Sequence, residues 1–323
     1  MHPILYTIGP FHIGSLRVPA FNIAWYGPLI AVGVLVAVFF AIRRAKTVGI
    51  APDFVLDLTF YGVIVGFIGS RIVFILGNLG GFAESPWEYI FSRQGYVFFG
   101  GLIFAAAFAI WFVRRRQVEP WQVTDIMAPS IAIGHIFGRV GCFFSGCCYG
   151  RICPTGWQSW GVSFPKVTDP ATGQIIFSFS YMDQVDHGLI SPDATGSLPV
   201  FPVQLCEAAA NLLIFLGLIW LWRRRRFRGQ IFAAYLLSYG TVRFLLEFLR
   251  GDYQEPVMLG LFQRGQMSQL MCLTAIAVGI VIVWRRWGTP LEVPQMPQAD
   301  AEPPSNQEQP SETARGRHRR RGR

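Results

Sequence analysis

The chain has 323 residues, of which 52% are hydrophobic and only 15% are charged, and its formal net charge is +9. Soluble domains carry about 25% charged residues, so this composition excludes an ordinary soluble protein and indicates a membrane protein. The basic residues form short blocks at the ends of apolar runs, where a membrane protein uses them to fix its orientation. We therefore expect membrane lipids, and no nucleic acid, as partners.

Seven apolar stretches have the length, about 20 residues, that a helix needs to cross a bilayer. They predict an all-α polytopic membrane protein with seven transmembrane helices, over 21–42, 54–77, 96–113, 122–143, 200–222, 231–249 and 267–284. Basic blocks follow the first, third, fifth and seventh stretches, beginning at Arg43, Arg114, Arg223 and Arg285. Because such blocks stay in the cytoplasm, the N-terminus is predicted outside and the C-terminus inside.

Two segments lie outside these stretches. Residues 146–199, between the fourth and fifth helices, are rich in Gly, Pro, Ser, Thr and Asp, and we predict a small ordered periplasmic head. Residues 289–323 are rich in proline and end in a run of arginines, which predicts a disordered cytoplasmic tail. The membrane domain is therefore expected to comprise residues 1–288.

Polar and ionisable residues within the apolar stretches are costly in a bilayer, so each is a candidate functional residue. Tyr239, Arg243 and Glu247 recur every four residues and share one helix face, and His135 lies one turn from Arg139. Structural ion pairs or snorkelling would explain any one of them, but not their gathering at one depth. In the predicted orientation the outer half of the bilayer contains the whole set: Tyr26, Arg71, His135, Arg139, Gln204, Glu207, Tyr239, Arg243 and Glu247.

Arginines at the level of the outer headgroups suit a phosphate, because the guanidinium fork matches it bidentately. Glycine-rich loops nearby would let backbone amides approach an anion. A phospholipid headgroup is the anion expected at this depth. The glycines concerned are Gly100, Gly101, Gly138, Gly141, Gly146 and Gly150.

Four cysteines, Cys142, Cys147, Cys148 and Cys153, follow the fourth stretch. Structural zinc sites favour paired C-x₂₋₄-C elements, and this spacing is different, so we expect no metal. A disulfide on an oxidising outer face and packing as small apolar side chains both remain open. A membrane thiol–disulfide oxidoreductase using the Cys142–Cys153 cluster is the alternative function, although no C-x-x-C is present. A transporter would show an internal repeat or a midplane site, and neither is evident.

The loop "GRVGCFFSGCCYG" (138–150) resembles the signature loop of the prolipoprotein diacylglyceryl transferase family. The resemblance extends over nearly all of residues 1–287. Six further segments are similar to family motifs, in order: "AWYGPL" (24–29), "GSRIVF" (69–74), "FFGGLI" (98–103), "FPVQLCEA" (201–208), "YGTVRFLLEFLRGD" (239–252) and "GQMSQL" (265–270).

The resemblance implies a bacterial inner-membrane enzyme whose active site faces the outer leaflet. It would transfer the diacylglyceryl group of phosphatidylglycerol to the lipobox cysteine thiol of preprolipoprotein signal peptides, without metal or organic cofactor. The candidate catalytic residues for this reaction are Arg139, Arg243, Tyr239, His135 and Glu247. The implied substrate-binding residues are Tyr26, Arg71, Gly100, Gly101, Gly146, Gly150, Gln204 and Glu207.

This sequence departs from the family pattern at several positions. Cys142 and Ser145 replace the two asparagines of the loop, and Cys147 replaces its glutamate. Phe99 occupies the position at which the family pattern has a histidine. The resemblance implies that this histidine is the catalytic base in the family. His135, Tyr239 and Glu247 remain as candidates to accept the thiol proton, and we expect His135 to substitute.

Overall fold

The computed structural model describes residues 3–9, 11–13, 16–18, 21–91, 95, 97–168, 175–176, 178–252, 256–257 and 262–289. The chain divides into two units, Met1–Leu291 and Glu292–Arg323. The second unit lies wholly outside the described residues, so the predicted tail is not described beyond Thr289.

Helices dominate the described part of the chain and are joined by short connections and small β hairpins. In chain order the elements are β1 (Ile4–Ile8), β2 (Phe11–Ile13), β3 (Leu16–Val18), β4 (Phe21–Ala24), α1 (Tyr26–Thr47), α2 (Pro52–Leu76), α3 (Leu79–Glu84), α4 (Pro86–Phe91), α5 (Phe98–Arg115), α6 (Pro120–Ser145), a 3₁₀ turn (Gln158–Trp160), β5 (Val167–Thr168), β6 (Ile175–Ile176), α7 (Phe179–Asp186), α8 (Val203–Trp222), α9 (Gln230–Glu247), β7 (Pro256–Val257), β8 (Phe262–Gln263) and α10 (Arg264–Arg286).

Six helices in the described residues are long and apolar enough to cross a membrane: α1, α2, α5, α6, α8 and α10. They overlap six of the seven predicted stretches, although Phe21–Ala24 at the start of the first stretch form strand β4 instead, and they confirm a helical, multi-pass membrane protein. The predicted sixth stretch is also a helix, α9, but its 18 residues include Arg243, Glu247 and other polar side chains, and it is not among the six. The crossing by α9 and the orientation of the chain stay predictions.

The ends of α6 show how the sequence defines a helix. Pro120 lies at its first position, where the missing N–H costs nothing. Glu119 caps this end by accepting a hydrogen bond of 2.7 Å from the Gln122 amide. The helix ends at Gly146, whose φ of 67° is the left-handed conformation that stops a helix.

Helix α6 occupies the centre of the bundle, packed against α1, α8 and α9, while α2 pairs with α5 and α9 with α10. Its small residues Ala128 and Ala132 are fully buried and let α8 and α9 approach closely. The core there is completed by Ile133, Ile214, Phe215, Leu218, Ile231 and Tyr235. Large apolar side chains such as Leu35, Phe60 and Leu213 are instead exposed on the outside of the bundle, as expected for surfaces that face lipid.

Gly100 and Gly101 lie in the first turn of α5, so the expectation that they form a glycine-rich loop is wrong. A Cβ at Gly100 would lie 2.7 Å from Val73 and 2.8 Å from the Gly69 carbonyl oxygen of α2. Small residues at helix contacts permit this close approach. Gly138 and Gly141 likewise lie within α6 rather than in a loop.

The segment between α6 and α8 is folded where it is described. Antiparallel bridges join Ile152 and Val162 to Val200, and Tyr149, Phe164 and Val200 form a small buried core. Its location on the outer face stays a prediction. The apolar pattern of the sequence does not predict the N-terminal strand pairs β1–β4 and β2–β3.

The start of α9 is capped by a side chain of a different helix. Asp125 of α6 is 1% exposed. Its Oδ2 accepts from the Gly229 amide at 2.8 Å, and its Oδ1 accepts from the Phe232 amide at 3.0 Å. Two of the amide groups at the start of α9 are therefore satisfied by one carboxylate.

We predict that Asp125→Ala lowers the free energy of unfolding by about 1–3 kcal/mol, because it removes a cap and leaves buried amides unsatisfied. Thermal unfolding in detergent measures this loss. The matched control is Asp57→Ala, which removes a surface ion pair to Arg116 at 3.0 Å and is expected to change stability by less than about 1 kcal/mol. Equal losses in the two variants would contradict the capping role.

Candidate active site

The carboxylate of Glu207 is the centre of the polar site. Glu207 lies in the second turn of α8 and is 1% exposed. Its Oε1 lies 2.9 Å from Nε of Arg139 and accepts a hydrogen bond of 3.2 Å from the Tyr239 hydroxyl. Nε of Arg243 lies 4.0 Å from the same oxygen. One buried carboxylate thus joins α6, α8 and α9.

Arg243 has a second partner, Glu247, one turn further along α9, with which its Nη1 forms a close ion pair. Both residues are buried. The two arginines and two glutamates balance in charge, which lowers the cost of placing them between apolar helices. Arg139 is the most exposed of the four, with 20% of its side-chain surface accessible.

His135 lies beside this cluster between two tyrosines. Its ring centroid is 4.9 Å from that of Tyr239, and its Nδ1 is 3.4 Å from the Tyr235 hydroxyl. The rings of Tyr235 and Tyr239 stack at 5.5 Å. His135 and Tyr239, both members of the polar set predicted to gather at one depth, therefore lie side by side in the structure.

Gln204 connects the charged cluster to the cysteine loop. Its Nε2 donates to the Cys147 carbonyl oxygen at 2.8 Å, and it lies one turn before Glu207 on α8. Among the described residues, Gln204 Oε1 and Glu247 Oε1 are buried acceptors without a hydrogen-bond donor. Each of these two oxygens could accept a hydrogen bond that no described residue supplies.

Sequence reasoning missed Asn211 and Tyr235. Asn211 is fully buried, and its Nδ2 donates to the Glu207 carbonyl oxygen at 2.9 Å. The signal was present, because Asn211 lies four residues after Glu207 and Tyr235 four residues before Tyr239, on the same helix faces.

Tyr26 and Arg71 have separate surroundings. Tyr26 begins α1 and packs over Gly141 of α6, where a Cβ would lie 3.0 Å from Tyr26 Cδ2. Arg71 of α2 donates from Nη1 to the Gly95 carbonyl oxygen at 3.0 Å, and its guanidinium lies 5.5 Å from the Phe74 ring. Tyr26 thus adjoins α6 near the cysteines, whereas these contacts of Arg71 are with α2 and the segment before α5.

The amides of the two predicted loop glycines are already used. Gly146 donates to the Phe143 carbonyl oxygen at 3.2 Å, and Gly150 donates to the Phe201 carbonyl oxygen at 2.9 Å. Neither glycine therefore has a free N–H with which to bind an anion in the predicted way. A Cβ at Gly150 would lie 2.6 Å from the Phe201 carbonyl oxygen, so glycine is required there for packing.

The cysteine loop is fixed to the end of α9. The Arg151 amide donates to the Leu249 carbonyl oxygen at 2.8 Å, and the Gly251 amide donates to that of Tyr149 at 3.1 Å. Arg250 forms a two-point ion pair with Asp252, with Nε 2.9 Å from Oδ1. Burial, together with the hydrogen bond to the Asp183 carboxylate, raises the pKa of Tyr149, which keeps its hydroxyl a donor.

The four cysteines separate into a group of three and one other. The sulfur atoms of Cys142, Cys147 and Cys148 all lie within 4.8 Å of one another. Cys153 is buried elsewhere, against Gly161, and burial raises the pKa of its thiol. All four are free thiols.

Membrane-length apolar helices around a buried cluster of arginine, glutamate and tyrosine define a polytopic membrane protein with a charged site between its helices. The sequence model of the prolipoprotein diacylglyceryl transferase family matches residues 14–285. The chain belongs to this family of transferases.

Proteins named phosphatidylglycerol–prolipoprotein diacylglyceryl transferase are similar along most of their length. The one from Clostridium tetani is 28% identical, covering 80% of this chain and 90% of that protein. The one from Proteus mirabilis is 31% identical, covering 87% of this chain and 91% of that protein. The alternative of a thiol–disulfide oxidoreductase receives no support from these relatives.

We predict that Glu207→Ala lowers the free energy of unfolding by about 3–5 kcal/mol, because it leaves the buried Arg139 and Arg243 without their shared carboxylate. Glu207→Gln is expected to lose less, since its amide oxygen still accepts from Tyr239. Thermal unfolding in detergent measures both, with Glu84→Ala on exposed α3 as the control. A Glu207→Ala protein as stable as the control would contradict the central role of this carboxylate.

Proposed function

We propose that this chain transfers the diacylglyceryl group of phosphatidylglycerol to the lipobox cysteine thiol of preprolipoproteins, forming a thioether and releasing glycerol phosphate. Family membership and the names of the relatives support this reaction. The structural observation that carries it is the convergence of Arg139 and Arg243 on the buried carboxylate of Glu207. This arrangement positions two cations for one anionic ligand.

The proposal includes seven membrane crossings, with the N-terminus outside, the C-terminus in the cytoplasm and the site towards the outer leaflet of the inner membrane. The alternating basic blocks support this orientation. Helix α9 packs against α6, α8 and α10, so its charged residues face other helices rather than lipid. That environment makes its crossing feasible.

Charge develops on the phosphate ester as it leaves, and fixed cations aimed at it lower the barrier. Ion pairing with Glu207 orients the Arg139 guanidinium, and ion pairing with Glu247 orients that of Arg243. The glycerol headgroup carries two hydroxyls. They match the buried acceptors Gln204 Oε1 and Glu247 Oε1, which lack donors among the described residues. Phosphate and headgroup would thereby be bound by the same cluster.

The thiol nucleophile must lose a proton before it attacks. His135 is the proposed acceptor, because a ring nitrogen of neutral imidazole can take up a proton and the ring lies beside Tyr239 at the edge of the arginine cluster. Tyr239 and Glu247 are the alternatives. Both are held in ion-pair or hydrogen-bond contacts, which makes them poorer acceptors than the imidazole.

We predict that Arg139→Ala and Arg243→Ala each abolish transfer while the protein still inserts into the membrane. Lysine should restore little activity, because an ammonium keeps the charge but loses the planar fork. The assay uses proteoliposomes with labelled phosphatidylglycerol and a lipobox peptide, and the product is detected by mass. Arg116→Ala, at an exposed surface pair, is the control that should retain activity. A normal rate in Arg243→Ala would overturn the assignment.

We predict that His135→Ala lowers turnover by roughly 10²–10⁴-fold, as expected for a lost general base. Tyr235→Phe removes only the hydroxyl near His135 Nδ1 and should cost less than about tenfold. Both rates are measured across about pH 6–9, so that a loss of turnover confined to one pH is not mistaken for loss of the base. Near-normal turnover of His135→Ala throughout this range would exclude His135 and transfer the role to Tyr239.

A further inference from the structure

Three sulfur atoms converge at the end of α6. Cys142 lies in the last turn of the helix, and Cys147 and Cys148 lie in the loop that follows, yet all three sulfurs are within 4.8 Å of one another. Zinc binds thiolate sulfur at about 2.3 Å, so three sulfurs around one ion lie roughly 4 Å apart. Sub-ångström shifts of the side chains would close this group around a metal ion.

The backbone of this loop is held in an unusual conformation. Cys148 has a φ of 57°, in the left-handed region that favours glycine and costs other residues about 1 kcal/mol or more. Such conformations persist where surrounding contacts determine them, and they cluster at functional sites. Here the contacts are the Gln204 side chain on the Cys147 carbonyl oxygen at 2.8 Å and the Arg151 amide on Leu249.

We propose that Cys142, Cys147 and Cys148 bind one Zn²⁺ ion whose fourth position stays open for the thiol of the substrate cysteine. The proposal rests on the transfer reaction proposed above and deepens it. Three protein ligands with one open position are the arrangement of catalytic zinc sites, whereas structural sites are closed by four. The three cysteines are only partly buried, so a fourth ligand can reach the ion.

The chemistry balances without an oxidant. A thiol that coordinates Zn²⁺ is deprotonated, and its proton passes to His135 or to solvent. The zinc-bound sulfur then attacks the glyceryl carbon: the new bond is S–C, and the C–O bond to the phosphate breaks. The electron pair of that bond leaves with glycerol phosphate.

The charges around the three sulfurs suit both a zinc-bound thiolate nucleophile and a phosphate leaving group. Three thiolates and one Zn²⁺ carry a net charge of −1, which makes a bound fourth thiolate more nucleophilic. Arg139 precedes Cys142 by three residues, about one turn of α6, and Arg250 pairs with Gly150, two residues after Cys148, in an antiparallel bridge. The cation that would stabilise the leaving phosphate is thus adjacent to the ion that would hold the nucleophile.

The binding experiment uses the full chain, purified under reducing conditions, stripped with a chelator and titrated with Zn²⁺. Elemental analysis is expected to give one ion per chain for the wild type and for the control Cys153→Ala, since Cys153 is outside the group. Cys142→Ala and Cys148→Gly should weaken Zn²⁺ binding by at least about 100-fold. Loss of a group that only hydrogen-bonds to a metal ligand already weakens binding by up to about 100-fold, and these variants lose a ligand itself. Glycine suits the left-handed backbone at 148, so this variant keeps the loop.

Wild-type protein without zinc uptake, or uptake unchanged in both variants, would overturn the site. A disulfide formed within the group instead of ion uptake, seen as a mass loss of two hydrogens, would also overturn it.

The activity experiment separates this inference from the proposed function. Transfer to the lipobox peptide should fall at least about 100-fold on stripping and return with Zn²⁺, and Cys148→Gly should not recover. Undiminished transfer after stripping would overturn the role of zinc while leaving the proposed function intact. Absence of transfer in every preparation that binds one Zn²⁺ would overturn the proposed function and the substrate role together, and metal stoichiometry would still support the ion site.

Discussion

The carboxylate of Glu207 is the interaction on which the polar site depends. It is buried in an apolar bundle, and Arg139, Tyr239 and Arg243 reach it from two other helices. A buried charge is tolerable only when it is paired and hydrogen-bonded, so none of these groups could be placed here alone. The ion pairs that offset the desolvation cost of these charges between apolar helices also hold two guanidinium groups in fixed directions. The contacts that stabilise the buried charges are therefore the same ones that would orient the arginines for the proposed ligand.

Helix α8 links this charged cluster to the thiols. Glu207 and Gln204 lie one turn apart, and one contacts Arg139 while the other contacts the Cys147 carbonyl oxygen. A substrate thiol approaching the cysteines would therefore be close to the arginines. Phe99, at the position where a histidine was expected, has no proton to exchange, which makes a second means of activating the thiol more useful to this chain.

The sequence predicted the helices and the face of α9 well, because both follow from simple periodicity: apolar runs of membrane length, and polar residues four apart such as Tyr239 and Arg243. It failed where three-dimensional placement decides. Gly100 was expected in a loop, but packing against α2 places it in a helix. The meeting of the Cys142 and Cys148 sulfurs was likewise not predictable from spacing, because the loop between them contains left-handed backbone at Gly146 and Cys148.

The cap that Asp125 provides to α9 also sets the axial alignment of two parallel helices. Arg139 follows Asp125 by 14 residues, and Arg243 follows Gly229, the residue that Asp125 contacts, by the same number. At about 1.5 Å per residue, both guanidinium groups start from positions about 21 Å along their helices from the cap. A slip of α9 by one residue would shift Arg243 by about 1.5 Å and rotate it by about 100°. The contact of Asp125 with the start of α9 therefore helps to determine whether Arg139 and Arg243, at the other end of these helices, lie at the same level.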